Sequence, residues 1–294
     1  MREHIKQREM YGEGAYLDMC ERILAGPYRK PDNEEGRYES FAEQLRFDLS
    51  GYKIPVFTTK KTQWKSLAVE MLWFLRGHQD VSFLHQNGVH IWDTWVNKDG
   101  IVGPLYGFMW RHWAIDERLR HQFGGAKEID QLKTVMASLR NRPEARSHMI
   151  TAWRPDWLKA MAIKPCHFNL QFYRIENRIS LVMTQRSCDT FLGVPFNIAQ
   201  YSLLTHLVAD QLGCVADEFI WQGGDVHIYE NHVDQVREQC ERMVLPEPTL
   251  MIDRTPNFID EYEFSDFELI DYEHQGVLKG SISAQGQPGQ GTAI

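Results

Sequence analysis

Cysteine is sparse and unpatterned in this 294-residue sequence. Cys20, Cys166, Cys188, Cys214 and Cys240 are odd in number, widely scattered and never spaced C-x-x-C. That speaks against a disulfide framework or a thiolate zinc site and for a reducing compartment, so the protein is expected to be cytoplasmic and to need no metal. Long apolar runs are missing as well. None approaches the ~18 residues of a membrane-spanning helix, and the opening MREHIKQREM is too polar for a signal peptide. Basic charge is not in excess. A net charge of -8 argues against wholesale binding to a nucleic-acid backbone, while leaving room for a local basic site that holds one phosphate. No internal repeat is present.

The remainder is the composition of a globular protein, with a hydrophobic share of 43% and enough length for a substantial core. Residues 15–25 read as an amphipathic helix stopped by Gly26-Pro27. Residues 28–40, polar with Pro and Gly, read as a loop. The spacing predicts a buried helix over 66–77, capped by Ser66, stopped by Gly77 and carrying Glu70 within its apolar stretch. Residues 92–113 gather Trp92, Trp95, Trp110 and Trp113 into an irregular segment, and 130–140 look helical. Residues 148–153, 168–174 and 178–184 alternate as strands do, with Glu176-Asn177 as a turn between the last two. Residues 196–213 predict a long apolar helix and 228–243 a polar one. This order, mixed without regular βαβ alternation, predicts an α+β fold. With no dividing linker, residues 1–279 form one expected domain, and 280–294, rich in Gly and Gln, an expected flexible tail.

Five features could carry chemistry. Pro165-Cys166-His167 precedes a strand, and a thiolate there is a strong nucleophile if positive charge lowers its pKa. Gln185-Arg186-Ser187-Cys188-Asp189 ends the following strand, so a hairpin would set Arg186 beside Cys166, where a guanidinium can bind phosphate and stabilise a thiolate. Asn197, opening the long helix, offers the donors and acceptor that suit a uracil edge. His227 and Tyr229 alternate onto one face of an extended segment, where they could bind a sugar hydroxyl. Glu70 is an acid in an apolar helix, costly unless used or paired. Taken singly, most have ordinary explanations: a buried cysteine, a surface arginine, a helix cap, a half-buried strand.

Together they form a recognisable set. TTKK at 58–61, EMLWFLRG at 70–77, HIWDTW at 90–95, GPLYG at 103–107, PCH at 165–167, QRSCD at 185–189, FLGVPFN at 191–197 and GGDVHIY at 223–229 resemble the thymidylate synthase family in order and spacing, from about residue 13 to about 279. The resemblance implies a central twisted β-sheet flanked by helices, a sheet-mediated homodimer, and one-carbon transfer from 5,10-methylenetetrahydrofolate to C5 of dUMP. It implies that Cys166 adds to C6, that Arg186 and Ser187 hold phosphate with Gln185 in the same substrate-binding segment, and that Asn197 reads the base. It further implies that His227 and Tyr229 hold the ribose hydroxyl, that Glu70 is the general acid/base, and that Tyr106 assists removal of the C5 proton. Asp189 and Gly193 fall on the folate side of the site, with Trp92 and Trp95 as its walls. Arg146 matches the first of two arginines that cross from a partner subunit.

The chain also departs from the family pattern. Ser147 replaces the second of those arginines, and the usual Arg-Thr-Gly phosphate loop is absent, leaving Arg29 as the nearest substitute and Arg37 as the alternative. The tail is longer. Three readings follow: a dTMP-forming synthase, a pyrimidine nucleotide 5-hydroxymethylase in which water captures the C5 methylene, and a silent nucleotide- or RNA-binding homologue. The joint presence of Cys166, Arg186, Asp189 and Asn197 argues against the last. No membrane and no nucleic acid is required by any favoured reading.

Overall fold

A computed structural model describes residues 11–32 and 34–282; the rest of the expected tail, 283–294, lies outside the described residues. The chain opens with helix α1 (Gly12–Leu24), then strands β1 (Tyr28–Arg29) and β2 (Arg37–Asp48), and helices α2 (Trp64–Arg76), α3 (Ser82–Gln86) and α4 (Gly107–Arg111). A short pair, β3 (Trp113–Ala114) with β4 (Glu128–Ile129), leads to α5 (Gln131–Asn141) and β5 (Met149–Thr151). The hairpin β6 (His167–Ile175) and β7 (Arg178–Asp189) follows, then α6 (Gly193–Gln211), β8 (Val215–Tyr229) and α7 (Val233–Cys240). A last pair joins β9 (Thr249–Ile252) to β10 (Phe267–Ile270).

Six strands form one sheet in the order β1-β2-β8-β7-β6-β5, antiparallel throughout except where β8 lies parallel to β7. That parallel step needs a crossover, which α6 supplies. The helix is apolar nearly all round, hence central: Ile198, Tyr201, Leu204 and Val208 are all fully buried. Alternation in the strands decides the faces. Leu45 and Phe47 of β2, Leu181 and Met183 of β7, and Phe219 and Trp221 of β8 pair across the sheet on one face, and α1 and α6 pack there. Met149 and Tyr173 stand exposed on β5 and β6, where Ile150, Leu170 and Phe172 are buried.

The α+β expectation holds, with four local corrections. Residues 28–40 are not all loop. Tyr28 and Arg29 pair with Tyr38 and Arg37, the two tyrosine rings 5.2 Å apart, so the breakers confine the turn to the middle of the segment. Strand β2 has no counterpart in the sequence pattern, because Ala42 takes a left-handed backbone (φ 67) that interrupts the strand's regular extension. Ser66 is not a cap. Helix α2 starts at Trp64, whereas Gly77 does end it in the left-handed conformation (φ 69). The polar helix expected over 228–243 is instead the end of β8, a 3-10 turn at Glu230–His232, and α7. Among the described residues no helix is long and apolar enough to cross a membrane.

Candidate active site

The β6–β7 hairpin does what its pattern predicts. Arg186 N donates to Cys166 O (2.9 Å), so thiol and guanidinium emerge side by side. Arg186 is aimed by its neighbours: Nε donates to Pro165 O (3.0 Å), one terminal nitrogen donates to Lys164 O (2.8 Å), and the guanidinium lies over the Trp153 ring. The same terminal nitrogen stands 4.0 Å from Cys166 Sγ. Tyr106 closes the other side, its hydroxyl accepting from Cys166 N (3.1 Å) and its ring stacked on His167 with centroids 4.1 Å apart. Tyr106 has φ 43, a strained backbone for an aromatic residue, held by α4 directly behind it. Burial pushes the Cys166 thiol above its ordinary value; Arg186 and the Tyr106 hydroxyl oppose that without cancelling it.

Glu70 is buried on α2, where Trp92 Nε1 donates to one carboxyl oxygen and Gln200 Nε2 to the other (2.5 Å). Burial pushes its pKa up to about 7, although both bonds favour the charged form. Gln200 Oε1 is buried with no partner among the described residues, an acceptor that a water could use. Trp92 stands against Trp95 (5.5 Å) and Tyr106 (5.9 Å), so three aromatic rings line the approach to Glu70.

Parallel pairing sets Asp189 opposite His227 and Ser187 opposite Asp225, while β2 brings Glu39 opposite His227 and Arg37 opposite Tyr229. His227 Nδ1 is held by Asp225 Oδ1 (2.8 Å), and the His227 and Tyr229 rings meet edge to face. Asp189 Oδ1 accepts from Phe191 N and Leu192 N (both 3.1 Å), fixing the turn into α6. There Gly193 lies between Asp189 and a nearly buried Asn197: a Cβ on it would meet Asp189 Cβ at 3.7 Å and Asn197 Oδ1 at 3.8 Å.

Not every expected residue joins this group. Gln185 is buried, its amide engaged by Trp221 Nε1 (3.0 Å) and Ser187 O (3.1 Å). Arg29 is exposed and ion-paired to Glu39 (2.7 Å), and Arg146 stands exposed in the turn before β5. Three residues escaped the sequence reading of roles: Gln200, Asp225 and Lys60. Lys60 is buried, donates to Phe191 O and lies 3.9 Å over the Phe191 ring. Burial pulls its pKa down to about 8 against the attraction of Asp189. Lys60 is a cation inside the TTKK segment, and Asp225 lies two residues before His227 on the same strand face, so both have a signal in the sequence.

A thiol flanked by guanidinium and phenol, with a buried carboxyl of raised pKa behind an aromatic wall, is what an α+β enzyme working by nucleophilic addition needs. The thymidylate synthase family model matches residues 14–284. The chain therefore belongs to the thymidylate synthase family, whose members are one-carbon transferases that use methylenetetrahydrofolate as co-substrate.

Proposed function

We propose that this protein converts dUMP to dTMP, with Cys166 as the nucleophile toward C6 and 5,10-methylenetetrahydrofolate as donor of both the carbon and the hydride. The observation that carries the reading is the junction of Cys166 with Arg186 and Tyr106 beside the buried Glu70. The donor set suits the folate: Trp92 and Trp95 offer flat apolar walls, and Glu70 with the unpartnered Gln200 Oε1 can hold ordered water beside them. With a pKa near neutrality, Glu70 can move a proton in either direction at working pH. Arg186 and Ser187 hold the phosphate. Both Arg29 and Arg37 are ion-paired to Glu39, Arg37 also to Glu34; Arg37 is the better placed to complete that site, because it is buried and pairs in register with Tyr229. Asn197 reads the uracil edge; His227, oriented by Asp225, and Tyr229 hold the ribose.

Hydroxymethylation differs only in what reaches the C5 methylene, hydride or water. The end of the described chain favours hydride. Gly280 is buried against Phe191 and His232, and His232 Nε2 bonds Ser281 O (2.8 Å), which brings this segment over the Asp189 side of the site. Incubation with dUMP and methylenetetrahydrofolate tests the choice. A product of methyl mass formed with equimolar dihydrofolate supports it. A hydroxymethyl product without dihydrofolate replaces it with the second reading, and no product from either route removes both.

A further inference from the structure

A second cluster lies outside this site. His85 on α3 and His90 and Asp93 in the turn that follows converge at the surface, their ligating atoms all within 4.8 Å of one another. His85 Nε2 is 2.7 Å from Asp93 Oδ1, and His90 Nδ1 is 3.0 Å from Asp93 Oδ2. The two imidazoles stack with centroids 4.8 Å apart, which turns both toward one carboxylate.

We propose that His85, His90 and Asp93 form a site for one divalent transition-metal ion of the zinc class. In a tetrahedral zinc site with bonds of about 2.0–2.1 Å, two ligand atoms stand about 3.3 Å apart. The two N–O separations, each to a different carboxylate oxygen, need to open by about 0.3–0.6 Å, and the ligand atoms farthest apart, within 4.8 Å, need to close toward the same spacing, which rotation of three exposed side chains can supply. Two nitrogens and one carboxylate select zinc, cobalt, nickel or copper over magnesium and calcium, which prefer all-oxygen sets. All three residues are exposed, so water can complete the coordination shell. The cysteine spacing in the sequence bears only on thiolate sites and leaves a histidine site untouched.

Placement gives the ion a mechanical consequence. It would join α3 to the turn that carries Trp92, whose indole donates to Glu70. The bound metal therefore ties down the aromatic wall from outside without touching the reacting groups.

The test uses the full chain stripped of metal by chelation. Cobalt(II) is titrated and its visible ligand-field absorption followed, with zinc(II) as competitor and stoichiometry from equilibrium dialysis. One equivalent of cobalt, displaced by zinc, is expected, together with a zinc-dependent rise in melting temperature. His90→Ala and Asp93→Asn should each weaken binding at least about tenfold and abolish that rise. His121→Ala, an exposed histidine elsewhere, should bind as the parent does. Absence of cobalt bands with the metal in excess, or equal affinity in the parent, His90→Ala and Asp93→Asn, overturns the proposal. Metal-free melts of the variants separate lost binding from lost folding.

Discussion

Cys166 sits under opposing demands. Shelter from water raises its thiol pKa, and Arg186 and the Tyr106 hydroxyl pull it back only partly. The proposed attack on a pyrimidine thus has to draw on groups that act when the nucleotide is in place. Cys166→Ala should lose turnover altogether while nucleotide affinity stays within about tenfold, since in the proposed mechanism the sulfur supplies addition to the ring, not binding. Assayed activity in a pure Cys166→Ala protein would remove the nucleophile assignment. Glu70 permits a second check, through stability. Its carboxyl titrates near 4.5 when free and near 7 when folded, so between those values the folded state holds the extra proton. Stability from this group therefore falls as pH rises through that window and is level above it, a total of roughly 3 kcal/mol. Melts of Glu70→Gln and the parent at about pH 5 and about pH 8 should show the variant gaining relative to the parent at the higher pH. An offset that does not change with pH would mean that Glu70 ionises normally.

Helices position the site as much as strands do. Helix α4 approaches α2 so closely that a Cβ at Gly107 would lie 2.1 Å from Phe74 O and 2.3 Å from Phe74 Cα, backbone atoms that have nowhere to go. Gly107→Ala should therefore cost about 3 kcal/mol or more and displace Tyr106, the preceding residue, from Cys166. Thermal denaturation and turnover measure the two effects; a variant as stable and active as the parent would show that the contact yields easily. Such elements also mark what was legible in the sequence. The β6–β7 hairpin declared itself by its period and turn residues and the long helix by its apolar length, and with the hairpin came the meeting of Cys166 and Arg186. Strand β2 did not, because its partner β8 is remote in sequence and the left-handed backbone at Ala42 interrupts its extension. The ties of Gln200 to Glu70 and of Asp225 to His227 were equally hidden, since buried hydrogen-bond partners leave no periodic trace.

At the scale of the whole molecule, Met149 and Tyr173 stand exposed on the sheet, on strands that bury Ile150, Leu170 and Phe172. A second copy of the chain is the proposed cover for that surface, with Arg146 reaching the neighbouring site. Mixing inactive Cys166→Ala with inactive Arg146→Ala should then restore part of the activity, since one hybrid site would be intact; no recovery after proven subunit exchange would exclude a shared site. The sheet order has a further consequence, in time rather than in space. Residue Arg37 meets Tyr229 across roughly 190 residues of chain, and at about 5–20 residues per second a ribosome needs on the order of 10–40 s to make that stretch. For that interval β2 has backbone groups to offer and no β8 to accept them, which is the hazard of an open strand edge. The nascent protein can complete the proposed nucleoside pocket only after most of its length has emerged, so any translational pause before β8 prolongs the stage at which β2 can pair with the wrong chain.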